Sequence, residues 1–249
     1  IHIKKDIYIM RLNKQTLSEQ IYQILRSDIL SQRIPSGTKL TLKSLTERFE
    51  VSSTPVREAL TRLSEEQLVS YYSNIGVNVI ELSEDDLREI YEFMGDLDAL
   101  AISYAAASVP NIDKLKKDLS ENINKASIAL KNLSSADPAG GSDIAKTYLQ
   151  PDAMSEAAIS DLIKLSDEFH LIFYNYCNNS RLIHSAERMR SQMSIAAYQY
   201  EKNTDHLITI HEEHIKIYES FTAGKYEESS CLMKQHMKHS LRYALELRN

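Results

Sequence analysis

Cysteine is nearly missing from this chain. Two residues in 249, Cys177 and Cys231, cannot build a disulfide framework, and they form no C-x-x-C pair. A reducing compartment, the cytoplasm, therefore suits the sequence. Glycine and proline are also scarce, with six and five residues, which leaves little to punctuate long helices. No run of 18 apolar residues exists, so no membrane span is expected. Ile1 to Ile9 lacks the charged, apolar and small-residue order of a secretory signal. Met10-Arg11-Leu12-Asn13 reads as a natural beginning, and the first nine residues are expected to be a loose extension. A basic excess is lacking too, since the formal net charge is −6.

What the chain does contain begins at Val51-Ser52-Ser53-Thr54-Pro55-Val56-Arg57-Glu58-Ala59-Leu60. A short polar turn lies there between two apolar helical patterns. Thr54 reads as an N-cap and Pro55 as the first helical residue, where its missing N–H costs nothing. Val56, Ala59, Leu60 and Leu63 then form one stripe, and Leu42, Leu45 and Phe49 form another before the turn. Two short helices so joined make a helix-turn-helix, whose second helix can enter a DNA major groove. Ahead of it, Thr16 or Ser18 opens a helix carrying Leu17, Ile21, Leu25 and Ile29, with Ile24 beside them, and Thr41 caps the helix at Leu42. After it, Val69-Ser70-Tyr71-Tyr72 and Val77-Asn78-Val79-Ile80 flank Ser73-Asn74-Ile75-Gly76 as a β-hairpin, the wing of a winged helix. The hairpin offers Asn74 and Asn78 but no Lys or Arg.

This stretch resembles the reading-helix signature of the GntR family of bacterial transcription regulators, a VS-x-TPVREAL run. Leu17 to Arg26 is similar to that family's first helix, Ile34 to Leu40 to its "pPGerL" turn, and Leu63 to Gly76 to its passage into the wing. The resemblance implies that Arg57 and Thr54 meet bases or phosphates of a double-stranded operator. Lys43, Arg48 and Arg62 are phosphate candidates. Ser53 stands where the family usually has an arginine, and Ile75 where the wing has one, which shifts the operator preference or weakens binding. Charge is divided to match, with a net of +2 over residues 1–82 and −8 over 83–249.

From Ser83, a capping-box start, the pattern becomes helical throughout. Leu87, Ile90, Tyr91, Met94, Leu97, Ala101, Tyr104 and Ala105 recur at helical spacing. Pro110-Asn111 breaks the helix, and Leu115, Leu119, Ile123, Ala126 and Leu130 follow on a second. Residues 134–151, with Gly140-Gly141 and two prolines, read as a loop or insertion. Four helices are expected beyond it, over Met154–Cys177, Ser180–Glu201, Asp205–Ala223 and Tyr226–Leu247. The expected fold is mostly α: a winged helix over 10–82 and an antiparallel all-α bundle over 83–249.

Seven of the eight histidines lie after residue 169. His170, His214 and His236 each occupy an apolar stripe near the middle of a different helix. Three inward imidazoles are a candidate site for a divalent transition metal, zinc or nickel. His184, His206 and His239 lie on more polar faces and are expected at the surface. A metal-dependent hydrolase is the alternative function, since catalytic zinc uses three histidines and an open position. His211-Glu212-Glu213-His214 departs from the zincin motif, however, because its histidines are three apart rather than four.

The bundle in turn resembles the FCD effector domain of FadR-type GntR regulators, through Glu168-Phe169-His170, Asn179-Ser180-Arg181-Leu182, Glu213-His214 and Met233-Lys234-Gln235-His236. The resemblance places His170, His214 and His236 on the family's three metal-ligating histidines. Its aspartate ligand falls on Ser166, so the site keeps three histidines and solvent, recruits Asp167, or holds no metal. Its helix-four arginine, which grips a carboxylate effector, falls on Met94, leaving Arg188 and Arg190 as replacements in the effector pocket. The whole then reads as a transcription regulator: a homodimer paired through residues 84–249, on a palindromic operator, answering to a small molecule or metal.

Overall fold

The computed structural model describes residues 15–72, 76–135, 153–197 and 203–246. The expected N-terminal extension, wing residues Asn74 and Ile75, and nearly all of the expected 134–151 insertion lie outside the described residues. The chain divides into two compact units, one up to Ile80 and one from Glu81.

In the first unit, α1 (Leu17–Leu30) starts at Thr16, whose side chain accepts from the Glu19 N–H. Ile21, Tyr22, Leu25 and Ile29 are buried, whereas Leu17 and Ile24 of the expected stripe are exposed. Helix α2 (Leu42–Phe49) is capped by Thr41, which accepts from the Ser44 N–H, and it stops at Glu50 in the left-handed region, φ 53°. Helix α3 (Ser53–Glu65) seats Val56, Ala59, Leu60 and Leu63 in the core against α1. The sheet has the order β1-β3-β2, with β1 (Lys39–Leu40), β2 (Val69–Tyr72) and β3 (Gly76–Val79) antiparallel. The hairpin pairs Val69 with Val79 and Tyr72 with Gly76. The two-residue β1 has no signature in the sequence. It exists because Leu40 is buried beside β3, pairing Lys39 with Asn78.

The second unit is a bundle of α4 (Glu84–Ala107), α5 (Ile112–Ser135), α6 (Ala153–Tyr176), α7 (Ser180–Ala197), α8 (Thr204–Thr222) and α9 (Tyr226–Glu246). Ser83 and Asp86 close a reciprocal capping box at the head of α4. A single 3-10 turn, Val109–Asn111, joins α4 to α5 at the expected break. Helix α8 ends at Gly224, whose φ of +79° suits a residue without Cβ. Helix α4 packs on α9, α7 and α6, and α5 on α6 and α8. Helices α4 and α9 approach closely at Gly95, where a Cβ would lie in contact with Met237 Cβ at 3.4 Å and Lys234 Cα at 3.7 Å. Phe169, Phe173, Phe221, Tyr91 and Met94 fill the centre. No described helix is long and apolar enough to cross a membrane.

Candidate functional site

The outward face of α3 is polar. Ser52, Ser53, Thr54, Arg57, Glu58 and Thr61 are exposed along it. The expected capping differs by two residues. Ser52 is the N-cap and makes no side-chain cap bond, so Thr54 and Pro55 lie inside the first turn. Proline is tolerated there because the first N–H groups of any helix lack an intrahelical acceptor. The uncapped amides and helix dipole give this end a partial positive charge suited to phosphate.

Lys43 and Arg57 are exposed and have no ion pair among the described residues. Arg48 and Arg62, expected as phosphate contacts, are ion-paired within the unit while their side chains stay 43% and 41% exposed. Arg48 reaches Asp28 at 2.5 Å, where Arg33 joins it at 2.8 Å. Arg62 pairs with Glu19 and lies 3.9 Å from the Tyr22 ring centroid. A cation the sequence reading missed stands next to the wing. Lys39 is exposed on β1, and its Cε lies 3.6 Å from where a Cβ on Gly76 would be. Sheet pairing brings it there from 37 positions away, so no local pattern could reveal it.

In the second unit, His170 on α6, His214 on α8 and His236 on α9 meet. One nitrogen from each lies within 4.8 Å of the others, and all three side chains are buried. Ring centroids are 4.7–5.1 Å apart, and Phe169 stacks on His214 at 4.1 Å. Zinc bonds of about 2.0–2.1 Å hold tetrahedral nitrogens roughly 3.4 Å apart, so side-chain movements of about an ångström would close the cluster on an ion.

Two carboxylates orient these rings. His170 Nδ1 is 2.8 Å from Asp98 Oδ2 on α4, and His236 Nδ1 is 2.8 Å from Glu213 Oε2 on α8. Glu213 also receives His239. Burial works against the charge of Asp98, yet Arg190 and His170 hold its carboxyl well below the usual range. Glu213 is likewise lowered: hydrogen bonds from His236 and His239 outweigh burial. An ionised carboxylate only accepts, so both Nδ1 atoms donate and both Nε2 atoms keep a free lone pair. His214 Nε2 is buried without a hydrogen-bond partner. Burial pushes His170 down to about 4 against the opposing pull of Asp98, and burial together with the surrounding basic groups pushes His214 well below its ordinary value. Neutral imidazoles with free lone pairs are the ligand form a divalent metal needs.

Asp98 has further partners. Tyr174 donates to Oδ1 at 2.6 Å, and Arg190 Nη2 donates to the two oxygens at 2.9 and 3.1 Å. Arg190 is thus buried beside the cluster, with its Nε and Nη1 lacking hydrogen-bond partners. Asp167 lies 3.7 Å from Arg190 and is not among the converging groups. Ser166 is half-buried one turn before His170, Met94 is fully buried, and Arg188 is exposed on the outside of α7. His206, expected at the surface, is buried with its ring 4.0 Å from Tyr243, because α9 covers that face of α8. His184 and His239 are exposed as expected. His211 bonds Ser127 at 2.8 Å instead of joining the cluster, so the HEEH stretch forms no zincin-like pair. Asp98 had a legible signal, an acid within the apolar stripe Tyr91, Met94, Leu97, Ala101, whereas the role of Glu213 had none.

The profile described as bacterial regulatory proteins, gntR family, matches residues 17–79, and the FCD domain profile matches 89–239. The chain is 23% identical over 240 residues to the uncharacterized HTH-type transcriptional regulator BphR of Paraburkholderia xenovorans, covering 92% of this chain and 85% of that one. It is 23% identical over 224 residues to the HTH-type transcriptional repressor RspR of Escherichia coli, covering 90% and 87%. The fold resembles the solved structure of E. coli McbR/YncC, with a TM-score of 0.64 and 20% identity over 95% of this chain and all of that one. The two curated relatives are described as transcription regulators, and nothing in the matches supports a hydrolase. The chain belongs to the GntR family of bacterial regulatory proteins, its winged helix followed by an FCD domain, and it is a DNA-binding transcription regulator.

Proposed function

We propose that this regulator is a cytoplasmic homodimer whose operator affinity is set by a divalent transition metal at His170, His214 and His236, together with a small anionic effector. The observation that carries the reading is the buried triad itself, with two Nδ1 atoms on ionised carboxylates and the His214 Nε2 unpartnered. FCD domains often bind metal. Zinc or nickel suits three imidazoles. A bound ion supplies a Lewis-acidic docking point for an effector oxygen. Arg190, with Nε and Nη1 still lacking acceptors, is the cation best placed to receive another oxygen, a carboxylate among the candidates. Asp167 faces Arg190 Nη1 at 3.7 Å and would share it with the effector, while Arg188 is exposed on α7.

On DNA, the exposed set Lys43, Ser53, Thr54 and Arg57 forms the reading surface, with Lys39 supplying the wing's phosphate contact. Arg48 and Arg62, partly exposed beside their acidic partners, remain phosphate candidates. A two-fold dimer presents two such surfaces to a palindromic operator. The outward stripe of α4 supports pairing through the bundle: Phe93, Leu100 and Tyr104 are 48%, 45% and 44% exposed and lie within about 40° of one another around the helix. An effector favouring one spacing of the two surfaces shifts DNA affinity by its differential binding.

Calorimetric titration of the chelator-treated protein with Zn²⁺ and Ni²⁺ tests the metal. One equivalent per chain is expected, lost in His214→Ala. No binding to the wild-type protein refutes the site. Sedimentation of Leu100→Glu tests the pairing, with a monomer expected where the wild type is a dimer.

A further inference from the structure

The triad has no carboxylate of its own at the position one turn before His170, where Ser166 stands. Asp98 approaches the same imidazole from a different helix. It is 1% exposed as a side chain and accepts four hydrogen bonds from three donor atoms: His170 Nδ1, the Tyr174 hydroxyl, and Arg190 Nη2 through both oxygens. Each oxygen therefore already serves two donors, a full complement for a carboxylate. Turning onto an ion would cost it at least one of these bonds in a buried setting, where an unpaired donor is expensive.

We infer that Asp98 is the carboxylate this chain uses in place of an inner-shell ligand. It acts through His170 as a positioning residue, and Arg190 sets how much of its charge the metal feels. This rests on the metal reading above. The mechanism follows from the hydrogen bonds. Ionised Asp98 fixes the His170 tautomer with Nδ1–H outward and Nε2 toward the cluster, and it makes that nitrogen a stronger donor to a cation. Glu213 performs the same service for His236. The two carboxylates differ in their neutralisation. Glu213 shares its charge with His239, whose side chain is half exposed, whereas Asp98 faces the permanent cation of buried Arg190. Arg190 Nη2 reaches both oxygens of the carboxylate that holds His170, so its positive charge stands beside that ring and repels a divalent ion there.

The two partners should therefore move metal affinity in opposite directions. A merely structural ion pair would not do so, since breaking it from either side would loosen the same packing. Zn²⁺ affinity is measured on the full-length protein by competition with a chromophoric chelator, and helical content by far-UV circular dichroism. Asp98→Asn is expected to weaken binding by about 10- to 100-fold, the usual cost of an outer-shell partner. Arg190→Gln is expected to tighten it by roughly tenfold, as Asp98 is left for the ion to neutralise. The inference is overturned if Asp98→Asn binds within about threefold of the wild type, or if Arg190→Gln weakens binding. Should Asp98→Asn fail to fold, the sign of the Arg190→Gln change alone decides. A wild-type protein that binds no Zn²⁺ instead removes the metal reading itself, an outcome distinct from a site that binds but ignores Asp98.

Discussion

Acid should loosen the helical unit before Asp98 and Glu213 protonate. His170 and His206 are both pushed down to about 4, chiefly by burial, while the unfolded chain takes up protons on histidine near pH 6.5. Between those values the unfolded state binds more protons, so stability rises with pH across the window and is lost as pH falls through it. A histidine at about 4 in the fold and about 6.5 outside it loses roughly 2 kcal/mol between pH 7 and pH 5. Two such groups lose about 4 kcal/mol, against a total stability on the order of 5–15 kcal/mol. His214 and His211, both lowered mainly by burial, act in the same direction. Asp98 and Glu213 are lowered and stay charged throughout the window, so their contributions are lost only in stronger acid. Urea unfolding followed at the helical circular dichroism band measures this, with a chelator present because a bound ion would compete with protons for the same imidazoles. With a slope of about 2 kcal/mol per molar, the midpoint should fall by roughly 2 M from pH 7 to pH 5. A midpoint that moves by less than about 0.3 M would refute the reasoning, since it would mean these rings are hydrated or protonated in the fold.

Arg57→Ala should weaken operator binding by about 1–3 kcal/mol if the guanidinium reads a base, measured by gel shift at fixed salt. Lys39→Ala should instead reduce affinity for any 30-bp duplex and lower the slope of log K against log salt by about one, the mark of a lost phosphate contact. Gly95→Ala should stabilise the bundle by up to about 1 kcal/mol, because helix propensity improves while the new Cβ meets Met237 at ordinary contact distance; a lowered melting temperature would contradict that packing. Ser166→Asp should tighten Zn²⁺ binding in calorimetry by adding a charged oxygen one turn from His170, and an unchanged affinity would place residue 166 away from the ion.

The amino-acid order by itself determined the helices and the way they divide between two units. Each such feature is local: Thr41 and Ser83 cap within three residues, Leu45 or Ile90 is buried because its stripe repeats at the helical period, and Gly224 ends a helix by its own backbone freedom. The three histidines were legible for the same reason, being polar residues on apolar stripes. At α3 even local reading slipped, since a proline fits any position of the first turn and does not fix which residue caps it. Tertiary structure alone decided partnerships. Packing took Arg48 and Arg62 for acids on α1, carried Lys39 to the wing, buried His206 beneath α9, and put Asp98 rather than Asp167 against His170. Periodicity gives the direction of a side chain from its own helix. What it meets there depends on the rotation and register of a second helix far along the chain, and those are set by the packing of the whole core.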